Sequence, residues 1–223
     1  METVEMFERH GRKIAALADM VDSASRILVV GCGDGREAGY LARRYQAETI
    51  GVGMDDGLFN HAAAAPATLV DMDARQLDFP DETFDLVYCF HALEHIPRPE
   101  EALAEIRRVL TPGGRYLMGT PNKSRLVGYV GAAEPIGNRI RFNVEDCKMR
   151  LRGQWSNDKG AHAGVTRREL TRICGENVGP ARDVTDRYYD TLYAHRALAL
   201  RGLRATRLQD WVYPAVYVAG SRR

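Results

Sequence analysis

A run of four apolar residues, Ile27-Leu28-Val29-Val30, breaks directly into Gly31-Cys32-Gly33-Asp34-Gly35, and helical spacing follows from Glu37 to Tyr45. No other feature constrains the chain as much. A continuous apolar run is what a strand buried on both faces of a parallel sheet looks like. Glycines at a strand-to-helix turn let the backbone reverse sharply and let a ligand approach the main chain. The turn therefore predicts a βα unit with a nucleotide-like ligand over its loop; the competing reading is a tight turn with no ligand. The third glycine comes one residue earlier than a dinucleotide fingerprint requires, and no Walker lysine follows, so a dinucleotide and a nucleoside triphosphate are both disfavoured.

The rest of the chain repeats that unit. Residues 4–21 have helical periodicity. Strands are predicted at Thr49 to Met54, Ala67 to Val70, Phe84 to Cys89 and Arg115 to Gly119. A helix from Pro99 to Leu110 starts on proline and ends at Thr111-Pro112-Gly113-Gly114. Strands alternating with helices indicate an α/β, doubly wound, mostly parallel sheet. After Thr120 the pattern changes, and residues 121–165 read as an aperiodic insertion within a single domain spanning 1–223. From Asn122 to Lys159 it holds eight Lys/Arg against four Asp/Glu. Thr166 with Glu169 has capping-box spacing and predicts the next helix. A further helix is expected from Asp186 to Leu200. Ala205 to Gly220 reads as an antiparallel strand pair closing a seven-stranded mixed sheet.

Bulk properties narrow the function classes. The net charge of +1 supplies no global field towards nucleic acid or membranes. No apolar run reaches the roughly 18 residues of a membrane span. The acidic start, Met1-Glu2-Thr3-Val4-Glu5, does not resemble a signal peptide, which points to a cytoplasmic protein. The widely spaced Cys32, Cys89, Cys147 and Cys174 suggest reduced thiols rather than disulfides or a zinc site.

Acids follow the next two strands. Asp55, with Asp56 beside it, lies 20 residues after Gly35, where a carboxylate can accept both ribose hydroxyls of a nucleoside. In Asp71-Met72-Asp73-Ala74 an acid can accept the exocyclic amine of adenine. With these residues in view the chain resembles the class I S-adenosylmethionine methyltransferases. The resemblance rests on Ile27 to Gly35, Gly53-Met54-Asp55, Asp73-Ala74, Phe84-Asp85-Leu86-Val87, Leu93-Glu94-His95-Ile96 and Arg108 to Gly114. It is closest to the small-molecule O-methyltransferases of ubiquinone-biosynthesis type and covers roughly residues 25–122. A weaker echo lies at His162 to Thr166 and in the final segment. The resemblance implies a Rossmann-like fold with S-adenosylmethionine as cofactor. Its methionine part would lie on Gly31, Cys32, Gly33 and Gly35, its ribose on Asp55 or Asp56, and its adenine on Asp73 and Ala74. Phe90 joins this cofactor-binding set. One departure stands out: the family's usual acid two residues before the first glycine is Val29 here.

The exit of strand four reads Phe90-His91-Ala92-Leu93-Glu94-His95. On a helical turn His91, Glu94 and His95 share a face. Three readings stay open. His91 or His95 is a general base for a substrate hydroxyl. Alternatively the three side chains ligate a divalent metal such as Mg, although imidazole in place of an acid makes the site softer than Mg prefers. Or His95 only packs the turn. The insertion is the natural substrate cover, and Asn122, Trp155 and His162 are its candidate substrate contacts. These features together predict methyl transfer to a hydroxyl of a small polar metabolite, a sugar or polyol being one such acceptor. The alternatives are an RNA or protein methyltransferase, supported by the basic insertion, and a non-catalytic cofactor-binding module. A lid this short invites completion by a second subunit, a homodimer.

Overall fold

A computed structural model of the chain describes residues 11–54, 57–129, 135–159 and 161–223. Helical residues 11–18 form α1; residues 4–10 of the predicted opening helix lie outside the described set. There follow β1 (Arg26–Val30), α2 (Arg36–Tyr45), β2 (Glu48–Gly53), the one-turn α3 (His61–Ala64), β3 (Thr68–Asp71) and β4 (Phe84–Phe90). Next come α4 (Pro99–Val109), β5 (Leu110–Pro121), α5 (Ile136–Leu151), α6 (Arg167–Asn177) and β6 (Ala181–Asp183). The chain ends with α7 (Thr185–Leu192), α8 (Ala197–Ala205), α9 (Gln209–Val212) and β7 (Ala215–Ser221).

Among the described residues the strands make one seven-stranded sheet in the order β3-β2-β1-β4-β5-β7-β6. β1 to β5 pair in parallel, and β7 runs antiparallel between β5 and β6. This is the Rossmann-like mixed sheet expected, with an antiparallel end. Alternate residues of the central strands feed two cores. Ile27, Val29, Leu86, Tyr88 and Leu117 pack against α1, α2 and α7. Leu28, Val30, Val87, Cys89 and Met118 pack against α4 and α6. Burial on both faces explains why β1 and β4 read as unbroken apolar runs. α2 and α4 each lay one apolar stripe on the sheet, Leu41 on one side and Leu103 with Ile106 on the other. From β1 the chain winds out to β2 and β3, and from β4 it winds the other way. The β1–β4 boundary is therefore a topological switch point, where open α/β sheets bind ligands beyond the strands' carboxyl ends.

Three expectations need correction. The partner of the last strand is β6, three residues long, rather than a strand within 205–220. The helix expected over 186–200 is broken: α7 stops at Leu192, a short 3-10 turn covers Ala194–Arg196, and α8 begins at Ala197. The insertion is not aperiodic either, since α5 occupies sixteen of its residues. α5 buries none of them, and Ile136, Ile140, Val144 and Leu151 are all exposed. The capping box at Thr166 and Glu169 is formed in both directions.

Candidate active site

The glycine loop is built where it was expected, and each glycine has its own reason. All three have left-handed backbones, at φ +72° for Gly31, +51° for Gly33 and +84° for Gly35. A Cβ on Gly31 would come within 2.2 Å of the Ala92 methyl, and one on Gly35 within 2.7 Å of Ala64 and Leu69. Packing therefore requires those two glycines. A Cβ on Gly33 would meet nothing within 4 Å, so its bare backbone faces open space at the switch point. That cradle, which a Cβ would fill, fits the methionine end of the expected cofactor. The Gly31 and Cys32 amides donate to the Val52 carbonyl at 2.8 and 3.0 Å, tying the loop to β2. The Cys32 side chain is buried against Gly51, so Cys32 can serve a ligand only through its backbone.

The acids are less uniform. Asp55 and Asp56 lie outside the described residues. Asp73 is held by Arg75, whose Nε and Nη2 reach its two oxygens at 3.0 and 2.5 Å. Those side-chain hydrogen bonds, helped by the Arg75 amide, pull the carboxyl down to about 2. Asp73 therefore stays ionised and fixed in direction, with lone pairs left for an amine donor. Ala74 packs at the edge of the core on the α4 side.

At the exit of β4 the chain turns abruptly. His91 has a left-handed backbone (φ +53°), its amide donates to the Gly119 carbonyl at 2.8 Å, and its ring stands edge-on to Phe90 at 4.5 Å. A 3-10 turn covers Leu93–His95. The Glu94 carboxylate is almost wholly buried, with 2% of its side chain exposed. Its Oε1 lies 3.5 Å from His91 Nδ1 and 3.9 Å from His95 Nε2. Its Oε2 is buried without a hydrogen-bond partner. The metal reading of His91, Glu94 and His95 finds no support here. Both imidazoles converge on one carboxylate oxygen at ion-pair spacing, and the other oxygen is shut in. Among the described residues no group of three His, Cys, Asp or Glu is arranged to hold a metal ion. The left-handed turn at His91 is the physical reason, because it replaces the regular helical turn that would put all three on one face.

These residues line a cavity of about 400 Å³ beyond the carboxyl ends of β4 and β5. Phe90, His91, Glu94 and His95 form one wall, and Pro121, Arg125, Tyr129 and His162 another. Tyr188, Tyr189, Leu192 and Tyr193 come from α7 and its end, Pro214, Ala215 and Tyr217 from β7 and the residue before it, and Lys13 from α1. The tyrosines are stacked and rigid. Tyr188 lies 3.8 Å from Tyr217, and Tyr189 lies 4.0 Å from Tyr213. The Tyr189 hydroxyl donates to the Ala215 carbonyl and accepts from its amide. His162 meets His95 edge-on at 4.7 Å. Burial first, and then the neighbouring His95, hold the His162 imidazole below its ordinary range, so it is neutral at pH near 7.

Of the three expected substrate contacts, only His162 lines the cavity. Asn122 is buried, and its amide nitrogen donates to the Asp210 and Tyr213 carbonyls at 2.7 and 2.8 Å. Its oxygen accepts from the Ser124 amide, so it ties the insertion to the segment before β7. Trp155 donates to the Lys123 carbonyl at 3.0 Å and carries the Arg150 and Arg125 guanidinium groups over its ring at 4.0 and 4.9 Å. Arg125 is itself buried, donating to the Asn122, His162 and Ala163 carbonyls and pairing with Asp146 at 3.3 Å. Part of the insertion's positive excess is thus turned inward to build the cover. Sequence reasoning missed Tyr217 and Arg125. A tyrosine in a weak final strand and one arginine among many carried no signal of their own.

Comparison with known proteins agrees with this geometry. The family described as "Methyltransferase domain" matches residues 28–118. The ubiquinone biosynthesis O-methyltransferase of Pseudomonas syringae pv. tomato is 32% identical over 170 residues, covering 67% of this chain and 72% of that one. The probable methyltransferase ltbC of Aspergillus luteorubrus is 33% identical over 132 residues, covering 51% of this chain, which spans only 46% of that relative's length. The plantazolicin methyltransferase BpumL, solved with SAH and a triazolic desmethylPZN analog, superposes with a TM-score of 0.64 at 15% identity. The match covers 97% of this chain and 85% of that one.

Proposed function

The chain belongs to the class I S-adenosylmethionine-dependent methyltransferases, and we propose that its acceptor is a hydroxyl of a small molecule held in the β4–β5 cavity. One observation carries the reading: a buried carboxylate, Glu94, stands behind two imidazoles at the mouth of the switch point. When bound, the cofactor supplies a methyl group activated on a sulfonium. The remaining work falls to side chains of this chain.

His91 is the proposed general base. Its Nδ1 faces Glu94, which leaves Nε2 for the cavity. A neutral imidazole there accepts the hydroxyl proton as the oxygen attacks, and Glu94 supplies a counter-charge to the imidazolium that forms. With 37% of its side chain exposed, His91 can pass the proton on to water. His95 and His162 offer polar contacts that orient the acceptor. Aromatic rings make up most of the remaining wall, which suits an acceptor with a flat or apolar face next to its hydroxyls. Phenols fit that description, and so does a sugar stacked on its C–H face. Most of the rate would come from holding two reactants in line. Support for an RNA or protein acceptor is reduced, because Arg125 and Arg150 are spent inside the insertion. A homodimer and binding of the cofactor's ribose by Asp55 or Asp56 remain part of the proposal.

The test is a methyl-transfer screen over sugars and phenols, with and without chelator. Activity should survive chelation and fall about a hundredfold or more in His91→Ala. A His91→Ala enzyme at full rate would end the base assignment. Transfer only to RNA or protein would end the small-molecule reading.

A further inference from the structure

Where the insertion returns to the sheet, a short run of backbone is locked in place and one side chain is left on display. Ala161, Ala163 and Gly164 are buried, and His162 among them is exposed. The run is fastened from several sides. Arg125, with 4% of its side chain exposed, donates to the His162 carbonyl at 2.9 Å and to the Ala163 carbonyl at 3.2 Å. Gly164 lies at φ +70°, where a Cβ would stand 1.8 Å from the Pro121 carbonyl oxygen, and its amide donates to Asn157 Oδ1 at 2.8 Å. The Val165 amide donates to the Pro121 carbonyl at 3.1 Å. Taking a guanidinium out of water is costly, and here it fixes the backbone that carries one imidazole. That imidazole meets His95 edge-on at 4.7 Å, and both rings line the acceptor cavity. Among the described residues neither ring spends a nitrogen on a hydrogen bond; the carboxylate oxygen beside His95 Nε2, on Glu94, is 3.9 Å away.

A neutral imidazole presents one N–H donor and one bare nitrogen acceptor. That combination suits an uncharged oxygen function, and the Glu94 carboxylate close by disfavours an anion. His91 and His95 stand 3.5 and 3.9 Å from the same Glu94 oxygen, so an oxygen held at His95 is a near neighbour of a hydroxyl held at His91. We propose that His162 and His95 are specificity-determining residues that grip a second oxygen of the acceptor, beside the methylated hydroxyl, and that Arg125 is the residue that positions His162 for it. The inference rests on the hydroxyl-acceptor reading. Two matched probe pairs test it, catechol with phenol and 1,2-cyclohexanediol with cyclohexanol, each pair differing by one oxygen. Wild-type enzyme with S-adenosylmethionine should favour the dioxygenated member of a pair about tenfold or more in kcat/KM. His162→Phe keeps a ring against His95 but removes both nitrogens, and should bring that ratio to within about twofold of unity. His162→Gln returns a donor and an acceptor and should hold the ratio above about threefold. Arg125→Lys keeps the charge but not the fork that reaches both carbonyls, and should lower the ratio by raising KM for the dioxygenated probe more than it lowers kcat. A wild-type ratio near unity, a ratio that survives His162→Phe, or equal losses on both members of a pair would overturn the proposal. Methyl transfer by wild type to none of the four probes would instead bring down the hydroxyl reading, and the proposal with it.

Discussion

Replacing Glu37 by glutamine should stabilise the ligand-free protein at mildly alkaline pH and do little at acidic pH. The folded carboxyl titrates near 8 and the unfolded one near 4.5. Between these values the folded state binds the extra proton. Stability from this group is therefore fully present below about 4.5 and is lost as pH rises through about 8. At about 1.4 kcal/mol per unit, the whole span corresponds to about 5 kcal/mol. Because the side chain keeps some contact with solvent, an effect of about 2–3 kcal/mol is expected. Glutamine is neutral throughout, so the difference between the two proteins isolates this residue from every other titration. Thermal unfolding from about pH 5 to about pH 9, without cofactor, should show two curves that coincide at the acid end. At the alkaline end they should part by roughly 4–12 °C, with the variant higher. A difference that stays constant with pH, or a variant less stable at alkaline pH, would refute the reasoning.

Other substitutions separate packing from binding. Gly31→Ala drives a methyl into Ala92 at φ +72° and should lower stability by about 2–3 kcal/mol or more in urea unfolding. Gly33→Ala meets no protein atom within 4 Å. It should cost only about 1–2 kcal/mol of stability, yet weaken S-adenosylhomocysteine at least about tenfold, as calorimetry would show. Glu94→Gln should lower kcat about ten- to a hundredfold with a small change in KM. Its stability should hold or rise, because a buried carboxylate oxygen without a partner is replaced by a neutral amide. Arg167→Ala breaks ion pairs to Asp183, Asp186 and Asp210 at 2.6, 3.0 and 3.2 Å. It should cost about 3 kcal/mol by denaturant titration, because the arginine fastens α6 to β6, α7 and α9.

Legibility in the sequence followed the range of the forces involved. β1 and β4 were readable because burial on two faces writes itself as an apolar run. The loop was readable because the left-handed backbone at Gly31, Gly33 and Gly35 is a local demand that glycine meets without strain. The capping box was readable because both of its partners lie within one turn. What misled was long-range. The amide of Asn122 is satisfied by the Asp210 and Tyr213 carbonyls, about ninety positions along the chain, so a polar residue that looked free for a substrate is a brace. Trp155 looked like a stacking platform and is one, but for Arg150 and Arg125 of its own chain. α5 was missed because Ile136, Ile140, Val144 and Leu151 are exposed and none of its residues joins a buried core. Its arginines and its one glycine, Gly137, masked a spacing that is helical in retrospect.

The histidine cluster shows the limit of periodicity most sharply. His91, Glu94 and His95 have helical spacing, and on a helix they would present three donors to one ion. The decisive fact is a single backbone angle, φ +53° at His91, which the sequence does not announce. With that turn in place, Glu94 has an imidazole on two of its flanks. Glu94 is held within the site with one oxygen unsatisfied. It is a liability to the fold, and it lines the acceptor cavity. Strain of this kind persists where a ligand or a transition state relieves it. Replacing Glu94 by glutamine therefore tests the idea directly, since it removes the carboxylate behind the two imidazoles and should impair turnover without a loss of stability.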